Sequence, residues 1–282
     1  MNPARGRQLL AGWRRVRAAC TGLALVAALG GCAWLTIPPT RIPMNVLRPP
    51  GPCDGTAGTP SSGAAAAAAA ADTLVVMLPG VYSRPQEFVD EGFVDALVRQ
   101  GARVEVAVVD AHLGYYNDRS VLRRLRDDVI GPARARGVRQ IWLVGISLGG
   151  FAALAYGARH GDEITGVVAL APYLGPRRLL QEISDAGGPQ LWRTQVPAPG
   201  PDEADRAIWA HYGAGPAPLP ASAVYLGYGD TDRFEDSHRL FASLLPARQV
   251  STTPGGHDWR AWRRLWDGWL ARGLLPARCT AA

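Results

Sequence analysis

The sequence predicts an α/β protein with a mostly parallel sheet flanked by helices. Short, nearly continuous apolar segments rich in Val and Ile are typical of strands covered on both faces; they read TLVVML, VEVAVV, IWLVG and ITGVVAL. Segments with helical periodicity separate them, among them PQEFVDEGFVDALVRQG, which closes on Gly101, and SVLRRLRDDVIGPARARG, which begins at Ser120 as a predicted N-cap. This alternation predicts a βαβ series.

Length and composition suit one large folded domain with a substantial core. The chain has 282 residues, of which 48% are hydrophobic. All 30 basic residues are arginine, and the chain has no lysine. Schiff-base chemistry on lysine and a P-loop of the G-x-x-x-x-G-K-[ST] type are therefore excluded.

The positive charge is concentrated at the N-terminus. Five arginines and no acidic residues lie in residues 1–31, so the remainder carries only +1 of the formal +6. We therefore expect no nucleic-acid partner. The arginines precede the apolar run Leu23–Leu29, which is too short to span a bilayer. This pattern predicts a signal peptide over residues 1–31.

The predicted signal peptide ends in Leu29-Gly30-Gly31-Cys32. This ending resembles the lipobox of bacterial lipoproteins, which implies that Cys32 becomes the lipid-modified N-terminus. Because alanine rather than aspartate follows, the resemblance implies an anchor in the outer membrane, facing the periplasm. The alternative is an ordinary signal peptide with an incidental cysteine.

Beyond the predicted anchor, the remaining cysteines are Cys53 and Cys279. In an oxidising compartment this pair can form a disulfide. No metal site is expected, because two distant cysteines without clustered histidines do not suit zinc. Residues 32–72 are rich in Pro and Gly and end in eight consecutive alanines, which predicts a low-complexity tether before a folded domain at residues 73–282.

A serine lies at a strand-to-helix junction in the middle of this domain. The predicted strand IWLV runs into Gly145-Ile146-Ser147-Leu148-Gly149, and the helical segment GGFAALAYGARH follows. This is the context of the G-x-S-x-G nucleophile elbow, a strained turn that excludes bulk on either side of the serine. The pattern predicts Ser147 as a nucleophile; the alternative is a glycine-rich packing turn.

A serine hydroxyl needs a base to become an effective nucleophile. Of the histidines that follow the elbow, His160 ends the elbow helix, His211 lies in an irregular stretch before a glycine, and His238 falls in a surface-helix pattern. His257 alone lies in a glycine loop, PGGHDW, after the short strand-like segment RQVST. We therefore expect His257 to be the base.

The acid that orients the base should follow the preceding predicted strand, SAVYLGYG, and both Asp230 and Asp232 satisfy this condition. Two backbone N–H groups should stabilise the oxyanion. One is expected from Leu148, directly after the serine. The other is expected from Val81 in the loop after the first core strand, with Tyr82 as the alternative.

These motifs together resemble the α/β-hydrolase superfamily over residues 73–274. The matching pieces are the elbow, LPG at the family's oxyanion turn, DAHLGYYNDRS at its D-x-x-G loop, GDTD at its acid loop, and GGHDW. Members commonly place the acid three residues past a glycine that ends the strand. Counting from Gly229 implies Asp232, whereas counting from Gly227 implies Asp230 as a reserve. LPG replaces the usual histidine-glycine, and only RIPMNVL could supply a strand before Thr73.

The resemblance also implies a small cap insertion over the active site at residues 175–221. Four aromatic residues lie in this insertion or just before it: Tyr173, Trp192, Trp209 and Tyr212. One interpretation is that they line a pocket for an acyl or aryl group. The alternative is that they fasten the cap to the body of the domain.

The resulting expectation is a lipid-anchored serine hydrolase without a cofactor that cleaves small-molecule or lipid-like carboxylic esters through a Ser-His-Asp triad and an acyl-enzyme. Two alternatives remain open. One is an acyltransferase on the same scaffold, and the other is a catalytically vestigial binding lipoprotein with the hydrolase fold.

Overall fold

The computed structural model describes residues 37–49, 72–214 and 223–275. It contains a seven-stranded sheet in the order β1-β3-β2-β4-β5-β6-β7. Strand β1 pairs antiparallel with β3, and every other pairing is parallel. The strands are β1 (Val46–Leu47), β2 (Thr73–Leu78), β3 (Glu105–Val109), β4 (Gln140–Ile146), β5 (Gly166–Leu170), β6 (Ala223–Gly229) and β7 (Val250–Thr253). The predicted α/β class is confirmed, and the segment RIPMNVL supplies the edge strand β1.

Eleven α-helices connect the strands in the described part of the chain. They are α1 (Pro85–Asp90), α2 (Phe93–Gln100), α3 (Leu113–Asn117), α4 (Val121–Leu125), α5 (Gly131–Ala135), α6 (Leu148–His160), α7 (Arg177–Asp185), α8 (Pro189–Gln195), α9 (Ala204–Tyr212), α10 (Glu235–Ala242) and α11 (Trp259–Ala271). A π-helical turn, Arg126–Ile130, joins α4 to α5, and the 3-10 turns Gly161–Glu163 and Ala247–Gln249 follow α6 and α10.

Two helices differ in detail from the sequence prediction. The helix predicted from Pro85 to Gly101 is broken at Gly92, whose φ of 76° lies in the left-handed region that favours glycine. Ser120 occupies the predicted N-cap position, but its side chain makes no capping hydrogen bond. Instead, the Ser120 N–H donates to Asp118 Oδ1 at 2.9 Å.

The sheet separates two cores, because side chains alternate between its faces along each strand. Leu74, Val76 and Leu78 of β2 point into a core closed by α3 to α10. Val75 and Met77 point into a second core closed by α1, α2 and α11. This second core is rich in aromatic rings, which accounts for much of the tryptophan content of the chain.

Candidate active site

Ser147 lies between β4 and α6 in a backbone conformation that L-residues rarely adopt, with φ 54° and ψ −114°. The two glycines of the elbow make this turn possible. A Cβ on Gly145 would overlap the carbonyl oxygen of Gly149, and a Cβ on Gly149 would overlap that of Leu78. The turn is held from outside by the Ser147 N–H, which donates to Leu170 O on β5 at 2.9 Å. Such strain persists only where the surroundings over-determine the conformation.

The Ser147 side chain is nearly buried, at 6% exposure, and its hydroxyl makes no hydrogen bond to any described residue. The residue stands at the N-terminus of the 13-residue helix α6, where the helix dipole favours negative charge. Its carbonyl accepts hydrogen bonds from the N–H groups of Phe151 and Tyr173, both at 3.0 Å.

His257 and Asp232 are brought into direct contact from the loops after β7 and β6. The Nδ1 atom of His257 lies 2.8 Å from Asp232 Oδ2. The second carboxylate oxygen, Oδ1, accepts from the N–H of Phe234 at 2.8 Å. The Asp232 side chain is fully buried, and that of His257 is 10% exposed. This arrangement engages Nδ1 and leaves Nε2 of the imidazole for another partner.

The surroundings of Asp232 favour its ionised form. Burial acts to raise the pKa of its carboxyl, but the hydrogen bonds from His257 and from the Phe234 amide outweigh burial, so the pKa lies below its usual value. A permanently ionised carboxylate at this position would hold the imidazole in one orientation and stabilise its cation.

Asp230 has a different contact. Its Oδ1 accepts from the N–H of Gly255 at 3.0 Å, and its own N–H donates to Thr253 O at 2.9 Å. Asp230 therefore ties the acid loop to the histidine loop through the backbone. Of the two candidate acids, Asp232 is the one hydrogen-bonded to His257.

Aromatic rings connect the histidine to the serine across the carboxyl edge of the sheet. His257 is flanked edge-on by Phe234 at 5.3 Å and by Trp262 at 5.0 Å between ring centroids. Phe234 in turn contacts Tyr173 at 6.2 Å, and the Tyr173 N–H bonds to the Ser147 carbonyl. Ser147 and His257 thus belong to one continuous packed region at this edge.

The loop after β2 lies next to the elbow. An ideal Cβ on Gly80 would lie 3.4 Å from Ser147 Cβ, an ordinary contact distance, which places this loop directly beside the serine side chain. The backbone N–H groups of Val81 and Leu148, the two predicted oxyanion donors, have no hydrogen-bond partner among the described residues. Tyr82, the alternative donor, has a φ of 65° and an 82% exposed side chain.

His238 differs most from its sequence prediction. The pattern indicated a surface helix, but His238 is fully buried on α10, and its Nε2 lies 2.9 Å from the carbonyl oxygen of Pro172. Nδ1 is also buried and has no partner among the described residues. Phe234, His238 and Phe241 lie at i, i+4 and i+7, a spacing that places the histidine on the apolar side of the helix.

Of the other two histidines after the elbow, His160 lies where it was expected and His211 does not. His160 ends α6 and is partly exposed. His211 lies inside α9 rather than in an irregular stretch.

The predicted cap aromatics divide into two groups. Trp192, Trp209 and Tyr212 are buried in the core, where the indole N–H of Trp209 donates to Leu174 O at 2.8 Å and the Tyr212 hydroxyl bonds to Leu154 O at 3.3 Å. These three rings fasten α8 and α9 to the body, whereas Tyr173 lines a groove beside the elbow.

Several predictions fall on residues outside those described: the signal peptide, Cys32, Cys53, Cys279 and most of the tether. Among the described residues, no group of three or more His, Cys, Asp and Glu side chains is arranged to hold a metal ion. None of the described helices combines the length and apolar character needed to cross a bilayer.

The topology, with the serine turn after β4 and the histidine–aspartate contact at the same sheet edge, defines an α/β-hydrolase fold. Solved structures agree on this fold. The chain is similar to the S-formylglutathione hydrolase FrmB of Staphylococcus aureus, with a TM-score of 0.50, 13% identity, and coverage of 71% of this chain and 80% of that one. It is also similar to the fluorophosphonate-binding serine hydrolase F of the same organism, with a TM-score of 0.51, 13% identity, and coverage of 83% and 93%.

More particularly, the family model described as "Putative esterase" matches residues 118–271, which is more than half of the chain. The protein therefore belongs to this esterase family. The match includes the elbow, the acid loop and the histidine loop. No curated protein sequence matches the chain.

Proposed function

We propose that this protein hydrolyses carboxylic esters with Ser147 as nucleophile, His257 as base and Asp232 as the acid that orients the base. The observation that carries the proposal is the 2.8 Å contact between His257 Nδ1 and Asp232 Oδ2 at the same sheet edge as a strained serine turn. With Nδ1 committed to a carboxylate, Nε2 is the imidazole nitrogen that can accept a proton from a hydroxyl.

In the proposed reaction, Ser147 Oγ adds to the ester carbonyl carbon while its proton passes to His257 Nε2. The tetrahedral oxyanion is stabilised by the N–H groups of Leu148 and Val81. Its collapse breaks the carbon–oxygen bond to the alcohol, which leaves with the proton from His257. Water then attacks the acyl-enzyme, again giving its proton to His257, and the acid product leaves as Ser147 regains its hydrogen.

Covalent labelling with a fluorophosphonate probe and turnover of p-nitrophenyl esters test the proposal. Ser147→Ala should abolish labelling and lower turnover by at least about 10⁴-fold, because the attacking oxygen is removed. Ser243→Ala is a matched control, since that hydroxyl bonds only to Leu240 O at the end of α10. Undiminished turnover in Ser147→Ala would refute the assignment of the nucleophile. A wild-type protein that neither labels nor turns over would point to a vestigial site.

Added acceptor alcohols separate hydrolysis from acyl transfer. We expect free acid as the main product of p-nitrophenyl ester turnover in their presence. An ester of the added alcohol as the main product would identify an acyltransferase on the same scaffold.

The proposal extends to cellular location: a lipid on Cys32 would hold the enzyme in the cell envelope, on the periplasmic side of the outer membrane. The support is the lipobox-like ending of the N-terminal segment. Cys32→Ser should release an active protein from the membrane fraction into the periplasm. Continued membrane association of this variant would contradict the lipid anchor.

A further inference from the structure

A groove of about 650 Å³ runs from the elbow along helix α6. At the elbow end its walls are apolar or aromatic: Tyr116, Val121, Leu122, Leu148, Phe151 and Tyr173. At the far end they carry Arg123, Arg126, Arg159 and His160. Leu148 and Arg159 are separated by nearly the full length of α6, or about 16 Å at the rise of an α-helix. The groove is thus elongated and changes from apolar to charged along its length.

The elbow end of the groove adjoins the proposed oxyanion site, and its side chains are held by hydrogen bonds and ring contacts. The Tyr116 hydroxyl donates to the carbonyl oxygen of Leu148 at 3.2 Å. Phe151 and Tyr173 contact each other at 6.0 Å between ring centroids, and the Tyr173 N–H bonds to the Ser147 carbonyl. A carbonyl oxygen bound at the N–H of Leu148 would therefore direct one side of the ester over this apolar surface.

That side should be the acyl group. The leaving alcohol must take its proton from His257, so it departs next to the loops after β6 and β7. None of the residues that line the groove belongs to those loops; they come from α3, the loop between α3 and α4, α4, the π-helical turn, α6, the loop after β5, and the segment at residues 201–205. The acyl chain is therefore the part that points along α6.

The arginines at the far end differ in how closely carboxylates hold them. Arg126 pairs with Glu163 at 2.5 Å, and Arg119 pairs with Asp202 at 3.0 Å across the groove. Arg123 reaches Asp127 only at 3.9 Å, whereas the buried Arg124 is held closely by both Asp127, at 2.9 Å, and Asp128, at 3.1 Å. The Arg123 guanidinium is therefore the loosely held one and can turn to a ligand.

Arg159 contributes similarly, because its guanidinium bonds to the carbonyl oxygen of Pro201 and pairs with no carboxylate among the described residues. Of the carboxylates lining the groove, Asp205 lies away from this end, where it acts on Tyr173 and accepts from the Arg206 N–H. Two arginines, Arg123 and Arg159, are thus available to bind an anion.

We infer that the preferred substrates are esters whose acyl chain is apolar next to the carbonyl and ends in an anionic group that contacts Arg123 and Arg159. This inference rests on the proposed ester hydrolysis and specifies its substrate class. A carboxylate and a phosphate share the chemistry that guanidinium groups recognise. Both arginines are exposed enough to be replaced without disturbing the core.

The test uses two p-nitrophenyl esters with acyl chains of equal length, long enough to reach the far end, one ending in a methyl group and one in a carboxylate. The wild-type enzyme should prefer the anionic ester, and added salt should weaken that preference. In Arg123→Gln/Arg159→Gln the ratio of kcat/KM between the anionic and neutral esters should fall roughly three- to tenfold, mainly through KM. A third ester ending in a phosphate would identify the better anion.

Arg99→Gln serves as the control for the single variants Arg123→Gln and Arg159→Gln, because it removes the same single charge from α2 on the opposite face of the sheet, where Arg99 pairs with Asp267. It should leave the ratio unchanged. Turnover of the neutral ester without any preference for the anionic one would overturn the inference and leave the proposed hydrolysis intact. An equal fall of the ratio in Arg99→Gln would also overturn it. Absence of both labelling and turnover would refute the proposed function itself.

Discussion

The elbow around Ser147 is held by close backbone packing against the neighbouring strands β2 and β5, whereas Asp232 and His257 are held by a side-chain hydrogen bond between two loops 25 residues apart. The elbow can adopt its tight turn because its glycines lack side chains, since a Cβ at either glycine would overlap backbone atoms. The acid–histidine region depends instead on a hydrogen bond between two polar side chains that are buried or nearly buried. We therefore expect the first region to respond to added volume and the second to changes of charge and protonation.

The largest expected effect tests the second region. Asp232→Asn keeps the shape of the side chain but removes the charge that orients His257, so kcat should fall by roughly 10⁴-fold with little loss of folding. Asp230→Asn is the matched control, because an amide oxygen can still accept from Gly255 N–H; its effect should stay within about tenfold. The measurement is steady-state turnover of a p-nitrophenyl ester. The reverse result would make Asp230 the acid.

The next effect tests the elbow. Gly149→Ala would force a methyl group onto the carbonyl oxygen of Leu78, so the free energy of unfolding should fall by at least about 3 kcal/mol. Gly268→Ala on α11 is the control, since a Cβ there meets nothing within 4 Å. It should be neutral or stabilise by up to about 1 kcal/mol. Urea denaturation measures both, and equal stabilities would contradict the packing argument.

Protonation of His238, which is packed beside the acid and histidine loops, should change the free energy of unfolding by a similar amount. Burial lowers the pKa of His238 to about 4, with Asp232 and Glu235 opposing burial and His257 adding to it. The unfolded chain takes up this proton near pH 6.5, so stability falls as pH drops from about 6.5 to 4. Below that range the folded protein is protonated as well, and the loss stops growing.

The expected contribution is about 3 kcal/mol between pH 7 and pH 4. His238→Gln keeps a donor for the Pro172 carbonyl but does not titrate, so it isolates this contribution. Unfolding free energies of both proteins at the two pH values give the difference. If wild type and variant lose the same stability on acidification, the buried imidazole does not remain neutral as inferred.

The smallest effect concerns the connection between the acid and histidine loops. Asp230→Ala removes the hydrogen bond from Gly255 N–H on an exposed surface, so the free energy of unfolding should fall by only about 1 kcal/mol. A large loss of turnover together with unchanged stability would mean that Asp230 acts on His257 and not on the loop backbone.

Much of this architecture could be predicted from local sequence. The strand TLVVML corresponds to Thr73–Leu78, and the other apolar runs also became parallel strands, because burial on both faces demands continuous apolar residues. The elbow is similarly local, since five consecutive residues contain the serine and both glycines. The break at Gly92 was missed because one helical periodicity continues across it.

The tertiary structure decided what depends on residues far apart in the chain. Asp230 and Asp232 both contact the loop 25 residues further along the chain, but Asp232 meets the His257 ring and Asp230 meets the Gly255 backbone, and a count from a glycine could not show which does which. Likewise, α10 buries His238 because the loop after β5 supplies a carbonyl for its ring. Local patterns determine strands, helices and tight turns, since those depend on neighbouring residues. Contacts between polar side chains depend on the packing of distant segments. The same packing decides whether an aromatic ring is buried in the core or lines a pocket.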